Sequence, residues 1–176
     1  MSVIRTELDA LFQGRQDFVN ELKSWSADKL TQQPAEGGWC ALEVIDHIIS
    51  SERGTLGYLV KKTSSGWDQI PERTPETDAA AVQLHAALES DGKWGVPVKF
   101  PPPAPDMTLE TLAHTWMHSH NDIAHWIGAT PDGIAEKLVF KHPIAGRITL
   151  EQTLGFLQRH ITHHRFQLER IKSAIS

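Results

Sequence analysis

The sequence predicts an all-α protein: one domain over residues 1–176, built as a four-helix bundle with one elaborate crossover. Three observations predict it. Apolar residues recur at alternating spacings of three and four in four separate stretches. Helix-capping and helix-stopping residues bound those stretches. The prolines and glycines gather largely in the segments between them.

The first helix is read over 3–24, where Ile4, Leu8, Leu11, Phe12, Phe18, Val19 and Leu22 line one side. Arg15 interrupts that stripe; its stem can pack there while its head reaches a polar group. "SWSADKL" offers Ser26 as the cap of a short helical turn, and "PAEGG" is a turn. The second helix starts at Trp39 or Cys40 and runs to Lys62, with Leu42, Ile45, Ile49, Leu56 and Leu59 on its buried side. About 45 residues follow, ending in "KFPPPAPDM", with a shorter helix expected at 77–90. A connection of that length can cross the bundle, which would leave helices two and three parallel. The third helix runs from a Thr108 cap to Ile127, before Gly128 and Pro131. Within the connection 129–148, "LVFKHPIAGRI" suits a short extended piece. The fourth helix starts at Thr149, whose spacing to Gln152 is that of a capping box, and continues to Ala174.

Composition excludes several classes. Apolar residues make up 40% of the chain, so a packed core is expected rather than disorder. The net charge is −5 with no basic block, which argues against a nucleic-acid partner. No apolar run approaches a membrane span, and the opening "MSVIRTELDALFQG" lacks the apolar core of a signal peptide. Cys40 is the single cysteine, so no intrachain disulfide can form. A cytoplasmic location is the expectation. No phosphate-binding glycine loop or serine-nucleophile motif occurs.

The histidines carry the functional signal. Seven of the ten fall in two stretches, 114–125 and 160–164. On the fourth helix His160 and His164 are four apart, about 40° around the axis, so their rings can meet at one point. They share a side with Leu157, Ile161, Leu168 and Ile171, while His163 lies about 60° away. Two such residues more often mark a core edge than a metal site, so a third ligand must come from another helix. On the second helix His47 lies at the edge of the apolar arc. Glu52 lies near its middle, where a carboxylate is costly unless paired. Two partners are open to Glu52: a ligand imidazole or Arg15. On the third helix His120 falls on the apolar stripe and is a cavity-lining candidate; His114, His118 and His125 read as a solvated face.

"GGWCALEVIDHI" resembles the helix-two signature of the DinB/YfiT-like proteins. "HPIAGRITLEQTLGFLQRHITHHRFQ" resembles their C-terminal signature, in which a buried H-x-x-x-H helix follows an HP…G loop. The resemblance implies a four-helix bundle in an up-down-down-up arrangement, with the long crossover between helices two and three. It implies a divalent metal ion held by His47, His160 and His164, with His163 and Gln167 as recurrent neighbours, and it points towards a homodimer. Cys40 stands where the family commonly has Ser or Thr as a cap. Segment 63–107 matches no family pattern and is expected to form much of the pocket wall.

Three neutral ligands leave about one to three coordination positions open, the catalytic type of site. Such a metal can lower the pKa of bound water, polarise a substrate or bind a thiolate. Imidazole suits zinc, nickel, iron and copper, with zinc or nickel taken first. Protons would compete with the metal below about pH 6, near the ordinary imidazole value. The reading is a metal-dependent enzyme acting on a small molecule, either a hydrolase or an S-transferase using a low-molecular-weight thiol. The alternative is a non-catalytic stress-response bundle that binds metal or a small ligand; a third reading is a helical interaction module with structural histidines. Glu52, His120 and His163 are candidate bases by position alone.

Overall fold

The computed structural model describes residues 2–92 and 107–175. They form α1 (Ser2–Lys23), α2 (Ala27–Thr31), α3 (Ala41–Thr63), α4 (Pro75–Leu88), α5 (Leu109–Gly128) and α6 (Leu150–Ala174). One antiparallel hairpin, β1 (Phe140–His142) and β2 (Gly146–Ile148), precedes α6, with Phe140 opposite Ile148. The protein is mostly helical, and the small sheet is the extended piece that "LVFKHPIAGRI" suggested. The proline-rich "PPPAPD" stretch lies outside the described residues.

Local chemistry accounts for the boundaries. Thr149 Oγ1 accepts the Gln152 N–H at 3.3 Å, and Gln152 Oε1 accepts the Thr149 N–H at 2.9 Å, so both ends of the capping box are closed. Gln152 also donates from its amide to Asp78 of α4 at 2.8 Å, tying a cap to a neighbouring helix. At the start of α3 the carboxylate of Glu43 takes the N–H of the Cys40 cap at 2.7 Å. The shorter helix begins at Pro75 rather than residue 77. Thr74 caps it, and proline is suited to a first turn where no N–H is needed. The β-hairpin turns at Gly146, whose φ of +73° a side chain would resist.

Four long helices, α1, α3, α5 and α6, share the core. α1 packs against α6 and α5, and α3 packs against α5 and α6; α4 packs on α6 and β2 and adds Ala81, Leu84 and Leu88 to the core. Phe18 of α1 meets Trp116 of α5 edge-on at 5.7 Å, and Phe12 meets His120 at 4.7 Å. On the other side, Ile161 of α6 packs beside Gly14, and Arg165 pairs with Glu21 at 3.8 Å. No described helix is long and apolar enough to cross a membrane.

An ion pair runs through this core. Glu52 is fully buried and Arg15 is 4% exposed. Arg15 donates from Nη2 to Glu52 Oε2 at 2.7 Å and from Nε at 3.0 Å, and its Nη1 donates to His120 Nδ1. Burial pushes the Glu52 carboxyl up, and the Arg15 guanidinium opposes that push. The guanidinium and the carboxylate meet as a bidentate, charge-assisted pair. Of the two partners open to Glu52, Arg15 is the one it bonds.

Removing one member of a buried pair costs about 3–5 kcal/mol, because the other charge is left uncompensated. Arg15→Met is expected to lose stability in that range in urea denaturation. Arg15→Met combined with Glu52→Leu is expected to recover most of it. A double variant as unstable as the single one would show that lost packing, not a stranded charge, is responsible.

Candidate metal centre

α3 and α6 bring three imidazoles to one point. One ring nitrogen from each of His47, His160 and His164 lies within 4.8 Å of the others. The Nε2 atoms of His160 and His164 are 3.0 Å apart. His47 approaches both rings edge-on, at centroid distances of 5.2 Å to His160 and 4.8 Å to His164. Trp39 covers His47 at 4.9 Å, and Phe156 stacks on His160 at 5.6 Å.

Gln167 orients one of the three. Its Oε1 lies 2.8 Å from His164 Nδ1. An amide oxygen only accepts, so Nδ1 carries the proton and the Nε2 lone pair faces the other rings. His163 is buried, and its ring is 5.5 Å from that of His164. It stands beside the group and is not one of the three.

A divalent ion fits this donor set. Two imidazole nitrogens about 2.0–2.1 Å from a tetrahedral ion stand about 3.3 Å apart. The α6 pair is already near that separation, and His47 has a short distance to close. Burial holds the rings neutral, as ligands must be. It lowers His47 to about 4. Burial first, and then His47, lowers His164 to about 3. His160 is held well below 6.5 by burial, then by His164 and His47.

A cleft of about 750 Å³ opens on one side of the group. Its described lining comes from the 34–39 turn and from His163, His164, Gln167 and Arg170. Segment 63–92 contributes nothing to that lining, contrary to the expectation for the middle of the chain; residues 93–106 lie outside the described residues. Arg170 is paired with Asp91.

The remaining candidates go elsewhere. Glu52 bonds Arg15, as above. His120 bonds Arg15 and lines a different cleft, between α1 and α5. Sequence reasoning passed over Trp39 and Phe156. Phe156 was within reach, since it stands four residues before His160 on the same helical stripe. His142 was also passed over; its Nδ1 accepts the backbone N–H groups of Ile144 and Ala145 at 3.2 and 3.3 Å, which holds the hairpin turn.

A helical bundle with three inward imidazoles beside a cleft defines a class of protein able to hold a metal ion. Residues 10–168 match the family model of the DinB superfamily, and the chain belongs to that superfamily. It is similar to the uncharacterized protein YuaE of Bacillus subtilis (strain 168), with 23% identity over 163 residues, covering 93% of this chain and 95% of that protein. No solved structure matches the chain significantly. Membership and the three-histidine group together fit a metal-binding DinB-like protein.

The lowered imidazoles set the acid response. On unfolding each returns to about 6.5, so between that value and about 4 the unfolded chain binds more protons at His47 than the folded one. His85, His120, His142 and His163 are shifted in the same direction, each chiefly by burial. The metal-free protein should hold its melting temperature above pH 7 and lose it as pH falls from 6.5 to 5. The folded site protonates well below the ordinary imidazole range, so a bound ion should leave with unfolding rather than near pH 6. Melting curves at stepped pH check this; an unchanged melting temperature across that interval would contradict it.

Proposed function

We propose that this protein is a cytoplasmic, metal-dependent enzyme acting on a small molecule, with a zinc or nickel ion held by His47, His160 and His164. The observation that carries the reading is the convergence of three imidazole nitrogens within 4.8 Å, one of them on the wall of a cleft. Three protein ligands leave room for a further one. When bound, the ion supplies Lewis acidity towards a substrate oxygen or sulfur. Gln167 orients His164, and Trp39 and Phe156 shield His47 and His160 with apolar surface. The 34–39 turn and Arg170 form the walls against which a substrate would rest.

The reaction we propose is hydrolysis or thiol-dependent S-transfer, with the nucleophile supplied from outside the chain. Cys40 does not suit that role: it is a buried N-cap whose thiol burial pushes up. We also propose the up-down-down-up arrangement. It is supported by Phe12 and Phe18 meeting His120 and Trp116 in reversed order, and by Gly14 and Glu21 meeting Ile161 and Arg165 in the same order. Pairing of two copies as a homodimer completes the proposal; monomer alone in sedimentation at micromolar concentration would refute that part. The second reading, a non-catalytic stress-response bundle, is favoured by one observation: Glu52, a candidate base, is committed to Arg15.

The purified protein is expected to carry about one divalent ion per chain, measured by elemental analysis. Alanine at His47, His160 or His164 should empty the site, and Gln167→Ala should weaken it by roughly 10–100-fold. Full metal content in the His160→Ala, His164→Ala double variant would overturn the ligand assignment. Turnover of ester, phosphoester or thiol-conjugation substrates that needs the metal and survives Cys40→Ser would support the enzyme; metal binding without turnover supports the second reading.

A further inference from the structure

The outer face of α5 carries a second imidazole pair. His114 and His118 stand one turn apart, both exposed, with their Nε2 atoms 3.3 Å apart. Their ring centroids are 4.4 Å apart and their planes cross at 75°. At an exposed position, a hydrogen bond from one ring to the other competes with water for the same nitrogens and gains little. The separation is, however, close to the roughly 3.3 Å between two nitrogens bound to one tetrahedral ion.

The surrounding charge suits a cation. Glu110 lies one turn before His114, and Asp122 one turn after His118. α5 itself contains no lysine or arginine. Neither histidine is buried, so neither is needed for packing.

We propose that His114 and His118 form a second site for a divalent transition-metal ion, held through two Nε2 atoms with water completing its shell. Imidazole donors select copper, nickel or zinc over magnesium or calcium. With two exposed ligands, this site is weaker than one with three buried ligands. It is independent of the function proposed for the interior histidines.

Calorimetric titration of the metal-free protein with nickel(II) tests it. Two binding events are expected, the weaker at α5. Losing a direct ligand costs at least the roughly tenfold that losing a supporting partner does, so His118→Ala should weaken the second event by that much and leave the first intact. His125→Ala, which removes an exposed histidine from the same helix, should leave both events unchanged. The His160→Ala, His164→Ala double variant should keep the α5 event whatever becomes of the interior one. Binding curves for nickel(II) that are the same in the native protein and in the His114→Ala, His118→Ala double variant, whether they show one event or two, would overturn the proposal.

Discussion

Glu52 is a carboxylate with no solvent contact, and the bundle is arranged around keeping it charged. Taking such a group from water costs several kcal/mol, which only close pairing offsets. Arg15 reaches it from α1 with Nε and Nη2, and His120 of α5 accepts an N–H from Nη1. Because a guanidinium can only donate, His120 Nδ1 is the accepting nitrogen and its ring proton sits on Nε2. A slip of one turn in α1 or α3 would strand a charge, and one in α5 would take the acceptor from Arg15 Nη1, so the cluster ties the register of all three.

α3 serves this cluster and the three-histidine group at once. His47 and Glu52 are five residues apart, which turns them about 140° from each other around the axis. His47 therefore meets α6, while Glu52 meets Arg15 of α1. The separation keeps the interior chemistry apart: the charged members of the core neutralise each other, and the three imidazoles share apolar surroundings with Trp39 and Phe156. Those surroundings lower the imidazole pKa values and so favour the neutral form that a metal ligand must have.

What a sequence can disclose follows the range of each interaction. The capping box from Thr149 to Gln152 and the 3.6-residue apolar stripes are local, so the long helices could be read within a residue or two of their ends. The pairing of His160 with His164 is local too. Contacts between distant elements were not readable in that way. The spacing around Glu52 showed that it needed a partner but left Arg15 and a ligand imidazole equally open. Nothing near residue 36 announced that the 34–39 turn would wall the cleft. Periodicity placed His47 at the edge of an apolar arc and offered it as a third ligand from another helix; the resemblance of its motif implied the full set. His114 and His118 were read as a solvated face, which their exposure bears out; the close approach of their rings depends on rotamers that no residue spacing fixes.

The two histidine pairs show how one spacing acquires different chemistry. Each is an H-x-x-x-H on a long helix, and the Nε2 separations, 3.0 and 3.3 Å, are close. Spacing alone cannot distinguish them. The α6 pair faces His47 across the bundle, and Gln167 fixes the tautomer of one ring. Burial there disfavours protonation and strengthens each bond a nitrogen makes. The α5 pair has carboxylates a turn away on either side and, among the described residues, no third imidazole grouped with it. Helix geometry provides two convergent nitrogens in both places. The helix packed opposite, and the water it excludes, distinguish an interior centre from a surface chelate.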